Sequence, residues 1–361
     1  MSIGGHYTNA DVVKALEGVK DISLDQYRVT TDKDPHPGLA EIVYWVPNHG
    51  SVVRDRSDTS NLPDPTQSTA LPSPAAPAPD KSKQKLPPYS SDELDLLALH
   101  FTIVKILYVV GALALIPGVV KIIEEARRGW DMHLTTIRNE HAYYCCVTQL
   151  YADVPIQMPN TILKLYMAGD SHSLSSAWQA INWHGKPTAL VPKLVTGLKC
   201  WHLREESVFF PKNNFYNVIQ AVPKGSAIVF MFGEIDCREG IIRATEKCRY
   251  KDIEEGIAVT IEYYLTVLQQ MQRQFDFKVY VQPVAPVLNE TREIVRAFNK
   301  NLKKMVTEEA RGLEFLDMFD ELLTPDGKNL HPDFEMDGTH MSPKYVRLIE
   351  KSLNTLPDPN A

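Results

Sequence analysis

The chain has 361 residues, of which 44% are hydrophobic and 23% are charged, and its formal net charge is −7 at pH 7. These proportions are typical of a globular protein with room for one large or two ordinary domains. Because an acidic chain offers little to a polyanion, they exclude nucleic acid as an expected partner.

The cysteines and the polar N-terminus indicate whether the protein binds metal and in which cellular compartment it is expected. Five cysteines occur, an odd number, without a C-x-x-C pair, so the sequence indicates neither a disulfide framework nor a zinc site. Residues 1–20 contain four charged side chains and no apolar block, which is unlike an ordinary secretory signal peptide. We therefore expect an intracellular protein that needs no metal.

Two N-terminal segments carry no recognisable chemistry. Residues 1–60 contain a short helical pattern and one strand-like run, and their role is unknown. Residues 61–90 are the predicted linker, because eight prolines fall between residues 61 and 88 with Ser, Ala, Thr and Lys among them. Such a composition cannot bury enough apolar surface to offset the entropy of ordering it.

Residues 91–150 are predicted to be helical, and their most apolar part supports two interpretations. Residues 106–120 are 15 uncharged residues in succession, whereas a membrane-spanning helix needs about 20 apolar residues. Lys105 would have to extend towards the membrane surface from near one end, and Pro117 would bend the other end. The sequence therefore predicts either a membrane anchor over residues 101–120 or a packed helix.

From residue 151 to the C-terminus, short apolar runs alternate with helical periodicity. The predicted strands cover residues 162–168, 188–191, 227–232, 279–284 and 313–316. Apolar residues at helical spacing predict helices over residues 253–271 and 294–305, and a last helix is expected near residues 345–353. Strands separated by helices predict a three-layer α/β/α sandwich with a mostly parallel sheet, whose ligands gather at the carboxyl ends of the strands.

Residues 163–174 carry an apolar strand into a turn that presents a serine. Gly169 permits a sharp bend, and Ser171 follows it directly after Asp170, which is interpreted as a cap for the turn. His172 is interpreted as a residue of the pocket wall. A helix is predicted next, from Leu174, Ala177, Trp178 and Ile181. Ser171 would then lie at a helix N-terminus, where N–H groups can stabilise an oxyanion; the alternative is a capped turn without chemistry.

A serine needs a base and an orienting group before it becomes a nucleophile. His340 and Asp337, three residues before it, lie in a loop just ahead of the last predicted helix. In a loop this spacing lets the carboxylate fold back on the imidazole, which is the arrangement of a Ser-His-Asp triad. Considered alone, Asp-x-x-His is more typical of a loop histidine with a structural role.

Three motifs in this order resemble the SGNH hydrolase superfamily, the GDSL-type esterases and lipases. Gly169-Asp170-Ser171 opens the domain, residues 233–236 (Gly-Glu-Ile-Asp) follow the third strand, and Asp337-x-x-His340 closes it. The resemblance covers about residues 162–355. It implies a flavodoxin-like α/β/α domain in which Ser171 is the nucleophile, His340 the base and then the acid, and Asp337 the group that orients His340.

The remaining family positions match less closely. The resemblance implies an oxyanion-hole glycine after the second strand, for which Gly197 is the candidate. In the third block the family's asparagine is replaced by Ile235, and loss of one oxyanion donor typically costs 10² to 10³ in rate. Glu234, Asp236 and Arg238 are candidate oxyanion or substrate-binding residues, and the alternative is a structural ion-pair network at the end of a strand.

These observations predict a serine esterase that hydrolyses carboxylic esters, on a glycan or a lipid, without a cofactor. An O-acyltransferase would use the same three residues. The competing interpretation is a binding or scaffold protein that has lost efficient turnover, for which Ile235 is the argument.

Overall fold

The computed structural model describes residues 89–127, 132–153, 163–308 and 312–358. Contacts within the chain divide it into two units, residues 1–148 and residues 149–361. The predicted N-terminal region, and the predicted linker as far as residue 88, lie outside the described residues.

The described part of the first unit is helical. The helices are α1 (Ser91–Val110), α2 (Ile116–Arg127) and α3 (Arg138–Asp153), the last of which includes the boundary between the units. Helix α1 begins at a capping box, in which the Glu93 N–H donates to Ser90 Oγ and the Ser90 N–H donates back to the Glu93 carboxylate. It ends at Gly111, whose φ of 80° leaves the helical region.

The apolar run considered as an anchor is thus divided between two helices. Gly111 separates α1 from α2, and Pro117 lies in the first turn of α2, where its missing N–H costs nothing. Among the described residues, no helix combines the length and the apolar character needed to cross a bilayer.

The second unit is built on a six-stranded sheet. Its strands are β1 (Leu163–Gly169), β2 (Ala180–Trp183), β3 (Lys186–Leu194), β4 (Ala227–Met231), β5 (Lys278–Val281) and β6 (Glu314–Phe315). The order across the sheet is β2-β3-β1-β4-β5-β6, and only the β2–β3 pair is antiparallel. A parallel pair needs a crossover: a 3₁₀ turn and β2 lie between β1 and β3, and helices lie between β4 and β5 and between β5 and β6.

Helices and an apolar core lie on both faces of the sheet. The helices of this unit are α4 (Phe210–Gln220), α5 (Ile241–Glu246), α6 (Ile253–Phe275), α7 (Arg292–Glu308) and α8 (Val346–Thr355). One core packs Phe215, Ile261 and Phe298 of α4, α6 and α7 against alternate strand residues. The other packs Ile349 of α8 against strand residues that point the opposite way, such as Leu165. The predicted α/β fold with a mostly parallel sheet is confirmed.

The prediction of a helix through Leu174 and Ile181 was wrong. Residues Ser171–Ser176 form a short 3₁₀ turn, and the chain then enters strand β2, in which Ile181 pairs with Thr188. A two-residue hairpin at His184 and Gly185 joins β2 to β3, with φ of 48° and 78°, the signature of a type I′ turn. The strand pairing explains the same apolar residues without a helix.

Candidate active site

The candidate site lies at the carboxyl end of β1, where the central strand passes into the 3₁₀ turn that begins at Ser171. Gly169 ends the strand and pairs with Met231 of β4. A Cβ on Gly169 would lie 2.5 Å from Met231 Cγ and 3.0 Å from Met231 O. Only glycine therefore allows β1 and β4 to approach this closely before the chain turns.

Ser171, His340 and Asp337 form one chain of hydrogen bonds. Ser171 Oγ is 2.8 Å from His340 Nε2, and His340 Nδ1 is 2.7 Å from Asp337 Oδ2. A carboxylate can only accept, so Nδ1 carries the proton and Nε2 is left to accept the hydroxyl proton of Ser171. The geometry is that of a serine nucleophile with a base and an orienting carboxylate.

The loop that carries Asp337 and His340 folds back on itself. Asp337 Oδ1 accepts the backbone N–H groups of Thr339 at 2.9 Å and His340 at 2.6 Å, while Oδ2 accepts from the ring. Burial alone would raise the pKa of Asp337, but the hydrogen bonds and charge of His340 outweigh it and hold the pKa below its usual range. Asp337 therefore stays ionised and fixes the imidazole.

A second histidine, His172, joins the same two loops. Its Nδ1 is 2.7 Å from Asp170 Oδ1 and its Nε2 is 2.9 Å from the carbonyl oxygen of Thr339. Asp170 Oδ1 also accepts the His172 backbone N–H at 3.0 Å, as a cap of the turn. The cap was foreseen from the sequence, but the bridge to Thr339 was not; the Asp-x-His spacing was its only local signal.

The electrostatics of this pair follow from its burial. Burial alone would lower the pKa of His172, but the Asp170 charge and hydrogen bond outweigh it and raise the pKa to about 9. Burial likewise would raise the pKa of Asp170, yet the charge and hydrogen bonds of His172 hold it below its usual range. The ring centroids of His172 and His340 are 5.2 Å apart.

Glu234 lies under the site rather than on its surface. Its side chain is 5% exposed, and neither carboxylate oxygen has a hydrogen bond within the described residues. Arg238 Nη1 approaches Glu234 Oε2 at 3.5 Å, and burial raises the pKa of Glu234 against the opposing charges of His172 and Arg238. The two residues form an ion pair at the end of β4.

Asp236 has a structural task in place of the expected contact with an oxyanion or substrate. It is fully buried, and its carboxylate accepts the backbone N–H groups of Cys200 at 2.7 Å and Trp201 at 3.1 Å. Burial raises its pKa to about 6 although these bonds oppose the rise. With both oxygens engaged, Asp236 fastens the 3₁₀ turn Cys200–Leu203 to the loop after β4.

Two backbone N–H groups, that of Ser171 in the turn after β1 and that of Gly197 in the loop after β3, have no hydrogen-bond partner among the described residues. The Val195 N–H donates to the Gly169 carbonyl at 2.7 Å, which ties the loop carrying Gly197 to the end of β1. Gly197 has a φ of 68°, and the side chain of Ile235 carries no donor.

Comparisons with known proteins identify no family. No protein-family model matches the sequence, and no curated protein is significantly similar to it. Solved structures match part of this chain, among them a candidate acylhydrolase and a lipase. A candidate acylhydrolase from Bacteroides fragilis NCTC 9343 has 14% identity over 57% of this chain and 92% of its own, with a TM-score of 0.34. The lipase Lip_vut3 from a goat rumen metagenome has 14% identity over 54% of this chain and 96% of its own, with a TM-score of 0.36.

Proposed function

We propose that this protein is a serine hydrolase that cleaves carboxylic esters. The observation that carries the proposal is the uninterrupted hydrogen-bond chain from Asp337 through His340 to Ser171, with contacts of 2.7 and 2.8 Å. The order of these residues along the sequence is that of the SGNH hydrolases, and their position at the carboxyl end of a central parallel strand is where α/β proteins bind ligands.

The proposed reaction has two steps. Ser171 Oγ attacks the acyl carbon while His340 Nε2 takes the hydroxyl proton, and the imidazolium then gives that proton to the departing alcohol. Water next attacks the acyl-enzyme with His340 again as base, and the carboxylic acid and free Ser171 are released. Ionised Asp337 stabilises the imidazolium in both steps.

The oxyanion formed in each step needs donors, and the Ser171 and Gly197 N–H groups are the proposed ones. Both are without partners among the described residues, and the Val195–Gly169 hydrogen bond holds their two loops together. Because the side chain of Ile235 provides no third donor, we expect a slower enzyme than one with three donors, by about 10² to 10³ in rate.

Labelling with a fluorophosphonate tests the proposal. An activated Ser171 displaces fluoride from phosphorus and stays covalently attached to the probe, so the wild-type chain should be labelled. Ser171→Ala should abolish labelling, whereas Ser175→Ala, which removes a hydroxyl from the same 3₁₀ turn, should retain it. A folded wild-type chain that is not labelled would contradict the hydrolase and favour a binding or scaffold protein.

The substrate is then defined by a panel of p-nitrophenyl esters from acetyl to palmitoyl. A preference for short chains favours small acyl groups, such as those carried by glycans, and a preference for long chains favours lipids. Adding an alcohol or a sugar as acceptor and analysing the products separates hydrolysis from acyl transfer, since both proceed through the same acyl-enzyme.

A further inference from the structure

We infer that His172 is a positioning residue, a buried imidazolium that holds the loop of His340 against the turn of Ser171. The inference rests on the function proposed above, because it concerns the geometry of the same hydroxyl and base. Ser171 contacts His340, and the residues next to them in sequence, His172 and Thr339, also contact each other. The turn and the loop are therefore joined at two successive positions.

The two acceptors that face the His172 ring determine how many protons the ring carries. Asp170 Oδ1, at 2.7 Å from Nδ1, is a carboxylate oxygen, and the Thr339 oxygen, at 2.9 Å from Nε2, is a carbonyl. Neither atom can donate, so each hydrogen bond requires a proton on the nitrogen that faces it. Satisfying both contacts makes His172 a cation, whereas His340 satisfies its two contacts with one ring proton.

Burial makes this arrangement sensitive to the loss of either contact. The side chain of His172 is 7% exposed and that of Asp170 is 1% exposed. Good geometry and hydrogen bonds to the remaining polar atoms offset the cost of burying an ion pair. The Thr339 carbonyl supplies such a contact for Nε2 of His172, whereas Asp170 Oδ2 is buried without a hydrogen bond among the described residues. The loop therefore has to stay in place for the cation to stay buried.

The charges that face His172 favour the same state. Asp170 is its direct partner, and Glu234 adds a second carboxylate whose charge raises the pKa of His172. The opposing group is the ring of His340, centred 5.2 Å away, which becomes a cation during the proposed reaction. Asp337 is bound to that ring on its far nitrogen, so each imidazole has its own carboxylate.

The expected consequence is a change in turnover rather than in substrate binding. Misplacing a base by about 1 Å can cost 10² in rate. His172→Gln keeps one donor and loses both the charge and the second donor, so kcat should fall 10- to 100-fold while KM for p-nitrophenyl acetate changes less than threefold. His202→Gln is the matched control: His202 is buried in the same unit, its Nδ1 accepts the Lys199 N–H, and burial lowers its pKa to about 4.

A second measurement does not depend on turnover. The full-length chain is labelled with ¹⁵N-histidine, and the ring nitrogens are recorded at pH 7.5 for the wild type and for Ser171→Ala. One histidine should hold both ring protons at this pH in both proteins, and its signals should vanish in His172→Gln if that variant folds.

The outcomes distinguish the positioning role of His172 from the proposed hydrolase activity. A folded His172→Gln whose kcat stays within twofold of the wild type overturns the positioning role. A spectrum in which no histidine keeps two ring protons at pH 7.5 also overturns it, even if His172→Gln fails to fold. Absence of fluorophosphonate labelling refutes the hydrolase instead, and it does so without affecting the ring-proton result.

Discussion

Two histidine–carboxylate pairs lie side by side at the carboxyl end of β1, with their ring centroids 5.2 Å apart. In each pair Nδ1 is 2.7 Å from a carboxylate oxygen. They differ in what faces Nε2, which is a hydroxyl for His340 and a carbonyl for His172. A hydroxyl can donate its proton and a carbonyl cannot, so one ring is left neutral and basic while the other is held as a cation.

The two pairs also differ in burial. The side chains of His340 and Asp337 are 11% and 19% exposed, whereas those of His172 and Asp170 are 7% and 1% exposed. A base must be accessible to a substrate. The pair of His172 and Asp170, which we call the clamp, must exclude water. In the proposed mechanism, the atom opposite Nε2 and access to solvent thus distinguish the histidine that acts as the base from the histidine that holds the two loops together.

The largest expected effect is the loss of the basic histidine. His340→Ala removes the proton acceptor of Ser171, and removal of a triad histidine typically costs about 10⁶ in kcat. Initial rates on p-nitrophenyl butyrate measure it, with circular dichroism as the check on folding. Activity within tenfold of the wild type would show that another group takes the serine proton.

Asp337→Asn should have the next largest effect. The amide can present its NH₂ group to the ring and so favour the wrong tautomer, a change that costs about 10⁴ in kcat in a triad of this kind. Because the side chain is partly exposed, little stability should be lost, as measured by urea denaturation. A rate loss of less than tenfold would mean that His340 is oriented by its surroundings instead.

Asp170→Asn makes the equivalent change in the clamp. Here we expect a large loss of stability and a smaller loss of rate. Breaking a buried ion pair by removing one charge typically costs about 3 to 5 kcal/mol of the free energy of unfolding. Urea denaturation of Asp170→Asn and Asp337→Asn under identical conditions gives the comparison. Equal losses of stability in the two variants would contradict the division of tasks between the pairs.

The sequence was sufficient for the α/β fold and for the residues that meet at the candidate site. Apolar runs predicted the parallel strands because a strand buried on both faces leaves a continuous apolar run. Asp337 and His340 were predicted together because three residues of loop suffice to bring a carboxylate onto a ring. The pairing with Ser171 came from the order of motifs, since nothing local joins positions 169 residues apart.

The sequence was insufficient where a contact is distant or a pattern is short. The bond from His172 to Thr339 spans 167 residues and ends on a backbone carbonyl, which has no sequence signature. Four apolar residues from Leu174 to Ile181 fit a helix, but pairing with β3 took the last of them into a strand. Asp236 resembled a site carboxylate because its backbone partners, Cys200 and Trp201, lie more than 30 residues earlier.

The clamp should also make stability depend on pH. The pKa of His172 is raised from 6.5 to about 9 on folding, so its contribution is fully present below pH 6.5, falls between pH 6.5 and 9, and is lost above pH 9. The contribution is on the order of 3 kcal/mol, since one pKa unit corresponds to 1.36 kcal/mol. Denaturation at pH 6 and pH 9.5 measures the fall in the wild type, and the difference between wild type and His172→Gln should shrink over the same range. A difference that does not change with pH would mean that His172 is neutral in the folded protein.

The smallest expected effect belongs to the ion pair of Arg238 and Glu234. Arg238 is 37% exposed at its side chain and lies 3.5 Å from Glu234 Oε2 without a hydrogen bond between them. Solvent screens such a pair, so Arg238→Gln should lower the free energy of unfolding by less than about 1 kcal/mol. The loss should be larger at low salt than in 1 M NaCl, where the screening length falls to about 3 Å. A loss above 2 kcal/mol that persists in 1 M NaCl would mean that Arg238 neutralises the buried carboxylate and belongs with the clamp, and the contrast between the two histidines would then extend to a third charged pair.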